Sequence, residues 1–233
     1  MSKIHRICDH TFFGADLGPE SVVVDLGANR GQFAKSMEDF FGCNVLAVEA
    51  SPKLFKELVS TDRVKYVNFA ICDKVQEVPF NVSFLLESSS LLRVPLGTQT
   101  DTVNVSGLTL EELFKRNGIT KVDLLKVDIE GAELGMLEAC SDDTLKQIGQ
   151  ISVEFHDFCG LMTEAEVDVV LTRLRALEFE VIKFSKSNFD VLFVNPRLVR
   201  LSSIELLWAK TVLRFFLGLH RRFKKRFCST RTM

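Results

Sequence analysis

The strongest constraint on the fold of this chain is the alternation of short apolar runs with segments of helical periodicity. The run at residues 22–26 is followed by a helical pattern at 32–41, and the same order continues at 44–49, 52–59 and 64–71. Such alternation is typical of a parallel sheet covered by helices on both faces. The sequence therefore predicts an α/β protein that begins with a βαβαβ unit.

The second half of the chain continues this pattern after an irregular excursion. Residues 78–106 contain two prolines and three consecutive serines, which indicates irregular structure with hairpin character. Thr163 is the expected N-cap of a later helix, and the last two strands should pair as a hairpin, so that seven principal strands result. The remaining predicted elements are strands at 122–128, 151–156, 181–184 and 191–194, and helices at 110–115, 132–139 and 164–177.

The composition is that of one globular domain. Of the 233 residues, 46% are hydrophobic and 26% are charged, which excludes a disordered, collagen-like or polytopic membrane protein. The six cysteines are scattered without a CxxC pair, and no basic-then-apolar leader begins the chain. We therefore expect reduced thiols and a cytoplasmic protein. We expect three parts: an N-terminal segment (1–19), a main domain (20–196) and a C-terminal tail (197–233).

Charge is divided unevenly between the body and the tail. Residues 197–233 contain ten Lys or Arg and one acid, against 19 basic and 30 acidic residues in 1–196. The acidic body argues against a general nucleic-acid surface. Within 202–227, helical spacing puts basic residues on one stripe and Trp, Phe and Leu residues over most of the rest. This segment is too short and too charged to span a bilayer, so we expect a basic amphipathic helix that lies on an anionic membrane, packs on the domain or joins a second subunit.

A glycine turn joins the first strand to the first helix. Asp25 begins the segment DLGANRG, in which Gly27 and Gly31 let a ligand approach the backbone near a helix N-terminus. Glu49, at the end of the second strand, has a carboxylate that can accept both hydrogen bonds of a ribose diol. The turn lacks the third glycine of the dinucleotide fingerprint, so a nicotinamide enzyme is disfavoured. Together these features predict a nucleoside-binding site.

Several segments resemble one known family. They are VVDLGANRGQFA (23–34), VLAVEASP (45–52), VNFAICD (67–73), VDLLKVDIEGAELGMLEAC (122–140) and ISVEFHD (151–157). They are similar to the FkbM-type S-adenosylmethionine-dependent methyltransferases over roughly residues 20–195. The resemblance implies the class I methyltransferase fold, which is Rossmann-like with a seven-stranded, mostly parallel sheet that ends in an antiparallel hairpin. It also implies methyl transfer, usually to a hydroxyl oxygen.

The same resemblance implies roles for individual residues. Glu49 would hold the ribose of S-adenosylmethionine, and the stretch from Ala70 to Asp73 would lie beside the adenine. Residues 88–91 resemble a segment near the active site of the family, although a serine-rich stretch is equally compatible with an ordinary loop. The methionine end of the cofactor would be lined by Asp25, Gly27, Asn29 and Gly31.

Alternation along two strands gives candidates for catalysis. It places Lys126 with Asp128 on one strand and Glu154 with His156 on the other. Because buried charges need partners, we expect Lys126 to pair with Glu154. Asp128 and His156 lie at carboxyl ends of strands, where open α/β sheets hold their ligands, and we expect one of them to be the general base.

Three further groups complete the set of candidate residues. Glu130 lies in the following turn and is a secondary catalytic candidate, whereas Glu133 is better explained as a helix cap. His5, Cys8 and His10 form a loose cluster without a second ligand pair, so no metal site is predicted there. A Mg²⁺ ion bound by carboxylates near Asp128 stays open.

The sequence as a whole favours a methyltransferase that acts on a hydroxyl of a sugar, glycan or secondary metabolite. The expected partner is therefore a small-molecule or glycan acceptor, with no nucleic acid. Two alternatives stay open: a Rossmann-type nucleotide-sugar or NAD oxidoreductase, and a membrane-recruited scaffold that keeps the cofactor fold without turnover. The intact acids at 128 and 130 argue against the scaffold.

Overall fold

The computed structural model describes residues 4–83, 100–185 and 188–213. Its strands are β1 (Ile4–Ile7), β2 (His10–Phe13), β3 (Val22–Leu26), β4 (Asn44–Val48), β5 (Val64–Val67), β6 (Ala70–Ile71), β7 (Gln76–Ser83), β8 (Thr100–Leu108), β9 (Val122–Val127), β10 (Ile148–Val153), β11 (Glu180–Lys183) and β12 (Val191–Val194). Its α-helices are α1 (Gln32–Phe41), α2 (Pro52–Phe55), α3 (Leu110–Asn117), α4 (Glu133–Ala139), α5 (Asp142–Lys146), α6 (Glu164–Ala176) and α7 (Ser203–Trp208).

The centre of the fold is a seven-stranded sheet in the order β11-β12-β10-β9-β3-β4-β5. Neighbouring strands are parallel in the pairs β5–β4, β4–β3, β3–β9 and β9–β10. Strand β12 runs antiparallel to both β10 and β11. The predicted parallel sheet and closing hairpin are therefore confirmed. The chain leaves β3 in one direction to form β4 and β5 and later returns to its other side to form β9. This reversal opens a crevice at the carboxyl ends of β3 and β9, where open α/β sheets bind ligands.

Helices cover both faces of this sheet and enclose two apolar clusters. One cluster contains Leu125 and Phe193, and the other contains Phe33 and Leu124, all of which are buried. Thr163 caps α6 through a capping box with Glu166, as the sequence predicted. The packing on both faces explains why the central strands are nearly continuous runs of Val, Ile and Leu.

A second, smaller sheet differs in detail from the prediction. The predicted strand 64–71 forms two short strands, because β5 joins the main sheet while β6 pairs with β8. The hairpin character predicted for 78–106 is confirmed by the antiparallel pairing of β7 with β8. The predicted helix 52–59 ends at Phe55 instead. Residues 88–91 lie outside the described part of the chain.

An N-terminal hairpin, β1–β2, packs against the main sheet and was not predicted. Its turn places Cys8 and Asp9 at φ 46° and 65°, a left-handed conformation that tight hairpin turns require and that non-glycine residues adopt uncommonly. Thr11 Oγ1 donates a hydrogen bond of 2.8 Å to Asp190 Oδ2. The amide of Gln150 bonds the backbone N–H and C=O of Phe13, both at 2.8 Å. The hairpin is thus fixed to β10 and to the residue that precedes β12.

The start of the tail is helical and carries exposed apolar side chains. Ser202 caps α7 with Glu205, and a π-helical turn, Ala209–Leu213, follows. Ile204, Leu207 and Trp208 are 80%, 63% and 47% exposed. The rest of the predicted amphipathic helix lies outside the described residues. Among the helices of the described segments, none is long and apolar enough to cross a membrane.

Candidate active site

A cleft opens at the carboxyl ends of β3, β4 and β9, and it includes the crevice between β3 and β9 that the strand order creates. Its empty space, the open mouth included, is about 580 Å³. The predicted site residues that line it are Gly27, Asn29, Glu49, Ala70, Asp128 and Glu130, together with apolar side chains such as Leu54, Phe69 and Phe80. The structure therefore brings together acids from two separate regions of the sequence around one apolar-walled space.

The glycine turn forms one wall of this cleft. Gly27 has φ 82°, and a Cβ there would lie 1.8 Å from the carbonyl oxygen of Asp128. Only glycine therefore lets the turn after β3 approach the end of β9 this closely. Gly31 has φ 75°, and a Cβ there would lie 2.4 Å from the hydroxyl of Tyr66. Asn29 also adopts a positive φ, 51°, between them.

Glu49 is fixed in the cleft by backbone donors. Its Oε2 accepts from the N–H of Asn29 at 2.7 Å, and its Oε1 accepts from the N–H of Ser51 at 2.8 Å. Burial raises the pKa of this carboxyl, although the two N–H groups and Lys126 oppose that shift. A carboxylate has about four acceptor positions, so each oxygen keeps capacity for a ligand hydroxyl.

Lys126 pairs with Asp25, so the predicted pairing with Glu154 is wrong. The Nζ atom of Lys126 lies 3.0 Å from Asp25 Oδ1 and donates to the carbonyl oxygens of Leu26 and Gly27 at 3.3 and 2.6 Å. The reason is topological, since β9 lies between β3 and β10, and the lysine side chain turns toward β3. Asp25 is completely buried, and its charge raises the pKa of Lys126 to about 12 against the opposing effect of burial.

Asp128, Glu130 and His156 converge at the edge of the cleft. The predicted strand 151–156 ends at Val153, and His156 begins a short 3₁₀ helix, His156–Cys159, instead. Its Nε2 lies 3.3 Å from Glu130 Oε2 and 3.8 Å from Asp128 Oδ1. Glu130 has φ 52°, and such backbone strain in a non-glycine residue is concentrated at functional sites.

Glu133 forms hydrogen bonds to the backbone of the turn before α4 and contacts the imidazole of His156. Its Oε1 accepts from the N–H groups of Ile129 and Gly131 at 3.1 and 3.0 Å, in the turn before α4. The prediction that Glu133 caps the helix is not confirmed, because the N-cap residue of α4 is Ala132 and no side chain caps it. The same oxygen lies 2.9 Å from Nδ1 of His156. No motif or spacing indicated this second contact, which fixes the orientation of the imidazole.

The charges in this group shift several pKa values. Burial lowers the pKa of His156, but the hydrogen bond and charge of Glu133, with Glu130 and Asp128, outweigh it and raise that pKa to about 9. Burial raises the pKa of Glu130 to about 7 and of Glu154 to about 8, in both cases with repulsion from Asp128. For Asp128 itself, burial is outweighed by Lys126, His10 and His156, which hold its pKa well below the usual range.

The remaining predicted residues lie outside the cleft lining. Asp25, Gly31 and His156 are not among the residues that line the cleft, although His156 contacts Asp128 and Glu130, which are. Asp73 is exposed and does not line the cleft. One unpredicted residue reaches the site, because the N-terminal hairpin places His10 within 4.0 Å of Asp128. Nothing in the sequence spacing could have shown this contact.

Comparison with known proteins assigns the chain to a family. The family model of the methyltransferase FkbM domain matches residues 25–181, which include the glycine turn, Glu49, Asp128 and His156. The chain belongs to the FkbM methyltransferase family. This enzyme is therefore an S-adenosylmethionine-dependent methyltransferase, and the oxidoreductase alternative has no support.

Individual relatives of this FkbM-family enzyme are distant. The 31-O-demethyl-FK506 methyltransferase FkbM of Streptomyces tacrolimicus is 23% identical over 72% of this chain and 76% of its own length. The hexuronic acid methyltransferase AglP of Haloferax volcanii is 25% identical over 70% of each chain. Human methyltransferase-like protein 13 in complex with SAH aligns with a TM-score of 0.45 and 14% identity, covering 84% of this chain and 82% of that one.

The cleft of this FkbM-family enzyme fits S-adenosylmethionine. The backbone of the glycine turn is accessible because Gly27 has no side chain, and the buried carboxylate of Glu49 faces the same space. A fixed carboxylate beside a glycine turn suits a ribose diol and the rest of a nucleoside ligand. Gly27, Asn29, Glu49 and Ala70, which the family resemblance implies as cofactor-binding residues, all line this space.

Proposed function

We propose that this methyltransferase acts on a hydroxyl group of a sugar, glycan or secondary metabolite. The observation that carries the proposal is the pair of acids at the cleft edge, Asp128 and Glu130, whose side chains are each 30% exposed. A hydroxyl acceptor must lose its proton, and carboxylates within reach of the cofactor cleft can accept it. The names of the relatives from Streptomyces and Haloferax support this acceptor class.

Three groups of residues have separate roles in binding the cofactor, removing the acceptor proton and positioning the acids. S-adenosylmethionine supplies an electrophilic methyl group on a sulfonium sulfur. Glu49 and the glycine turn hold the cofactor, so that alignment with the acceptor comes from binding. Asp128 and Glu130 line the cleft and are placed to take the acceptor proton. His156, held by Glu133, contacts both acids and acts as a positioning residue for them.

Mass spectrometry of acceptor mixtures tests the proposed acceptor class. Purified enzyme with labelled S-adenosylmethionine should transfer the label to hydroxyls of sugars, glycans or secondary metabolites and form methyl ethers. These ethers should resist hydrolysis in base, unlike methyl esters. Label found only in amines, carboxylates or nucleic acid would contradict the proposal.

A second proposal concerns location: the protein works in the cytoplasm, and its tail contacts an anionic membrane. The supporting observation is the exposure of Ile204, Leu207 and Trp208 on α7, directly before a strongly basic sequence. Apolar side chains beside Lys and Arg are typical of helices that lie at a lipid interface. The alternatives are packing on the domain and self-association.

Removal of residues 214–233 is expected to abolish binding to anionic vesicles and to leave cofactor affinity unchanged. The deletion removes seven of the ten basic residues of the tail but retains Ala209, which is buried in the core. Flotation with phosphatidylserine vesicles at low and high salt measures the effect. A matched variant replaces the seven basic residues with Gln and should float weakly. A full-length chain that never floats would refute the membrane proposal.

A further inference from the structure

The imidazole of His10 is buried beside the active site, and one of its nitrogens faces Asp128 without forming a direct hydrogen bond. The residue is 1% exposed, and its Nδ1 lies 3.1 Å from Ser152 Oγ. Within the described segments, its Nε2 has no hydrogen-bond partner, and it lies 4.0 Å from Asp128 Oδ2. Buried polar atoms in native proteins almost always have a partner, so this nitrogen points to a ligand.

The surroundings of this nitrogen match a metal site. His10, Asp128 and Glu154 each offer one ligand atom, and the three atoms lie within 4.8 Å of one another. His10 comes from the N-terminal hairpin, whereas the two acids follow the adjacent strands β9 and β10. The hairpin lies outside the region that the family match covers, residues 25–181. The hydrogen bonds from Thr11 and Phe13 to the main sheet nevertheless hold it rigidly in place.

The two neighbouring cations lie closer to other groups than to Asp128. The ammonium of Lys126 donates to the carbonyl oxygens of Gly27 and Leu26 at 2.6 and 3.3 Å and lies 3.0 Å from Asp25 Oδ1. Asp128 Oδ2 is farther away, at 3.6 Å. The Nε2 of His156 lies closer to Glu130 than to Asp128 or Glu154. A cation between His10, Asp128 and Glu154 would therefore not compete with the nearest contacts of either group.

We propose that His10, Asp128 and Glu154 bind one divalent transition-metal ion. One imidazole nitrogen with two carboxylates is a donor set that Mn²⁺, Fe²⁺ and Zn²⁺ accept. The ion would balance the surplus of carboxylates at this end of the cleft. Its catalytic use rests on the proposed function: bound to Asp128, it would hold the hydroxyl oxygen of the acceptor, and Glu130 would remain to take the proton.

Calorimetric titration of the EDTA-treated full chain with MnCl₂ tests the site. Mn²⁺ is the suitable probe because thiolates, which this chain could supply from its cysteines, prefer softer metals. We expect one Mn²⁺ per chain. His10→Gln and Glu154→Gln should each weaken the affinity by about 100-fold or more, beyond the usual 10- to 100-fold effect of an outer-shell partner. His5→Gln, on the same hairpin but packed against Phe12 and Phe41, should retain it.

Other results of these titrations would overturn the proposed metal site. Absence of Mn²⁺ binding, or wild-type affinity in both His10→Gln and Glu154→Gln, would overturn the proposal. Loss of binding in His156→Gln alone would place the ion on the other cluster, Asp128, Glu130 and His156, and would also overturn it. Thermal unfolding in EDTA shows whether each variant folds. Binding of S-adenosylhomocysteine in EDTA is measured separately, so a failure of the methyltransferase proposal is distinguishable from absence of the metal.

Discussion

Asp128→Asn is expected to reduce turnover by about 100-fold or more while the fold and the cofactor affinity survive. Asparagine keeps the shape of the side chain but removes the charge that lies 3.6 Å from Lys126 and 3.8 Å from His156. Loss of a general base, or of a group that orients it, costs about 10² to 10⁴ in rate. Single-turnover kinetics together with calorimetric cofactor binding separates the two effects.

His156→Gln should lower turnover similarly, because this imidazole contacts the same acids. If the two residues act as one unit, the double variant should lose no more than either single variant. Asp62→Asn, at an exposed acid that does not line the cleft, is the matched control and should keep full activity. Full activity in both Asp128→Asn and His156→Gln would refute the assignment of these residues to the catalytic group.

Lys126→Met should lower the free energy of unfolding by about 3 to 5 kcal/mol, the usual effect of removing one partner from a buried ion pair. The variant leaves Asp25 completely buried without its counter-charge. Lys121→Met, which breaks the more exposed pair with Asp123, is the control and should cost about 0 to 1 kcal/mol. Urea denaturation measures both changes.

A second substitution identifies the partner of Lys126. Asp25→Asn in the Lys126→Met background should recover most of the lost stability, since a neutral amide replaces the stranded charge. Glu154→Gln in that background should recover little. The reverse order would show that Glu154, not Asp25, compensates the lysine in solution.

The sequence predicted the main sheet because its signals are local. Apolar runs, the two glycines of the turn and the Thr163 cap each act within a few residues, and all three lie where they were expected. The pattern and the family resemblance also predicted a mostly parallel seven-stranded sheet with a closing antiparallel hairpin, which the structure shows. Position along the chain also placed Glu49 and Asp128 at strand ends, and the structure brings both to the cleft.

The parts that the sequence missed depend on contacts between distant segments. Alternation could show that Lys126 needed a partner but not which neighbouring strand supplied it. The hairpin that delivers His10 has strands of only four residues, and its turn contains no glycine. Its position depends on hydrogen bonds to residues more than 130 positions away. No periodicity within either segment carries that information.

Calorimetric titration with S-adenosylhomocysteine tests most directly the central claim that the cleft at Gly27 and Glu49 binds the cofactor. We expect one molecule per chain and no binding of NAD. Glu49→Ala should weaken the affinity by about 1.5 to 3 kcal/mol, the scale of hydrogen bonds to a charged group. Glu57→Ala, an exposed acid nearby in the chain, should leave the affinity unchanged. Binding of NAD instead, or equal affinity in Glu49→Ala and the wild type, would contradict the account.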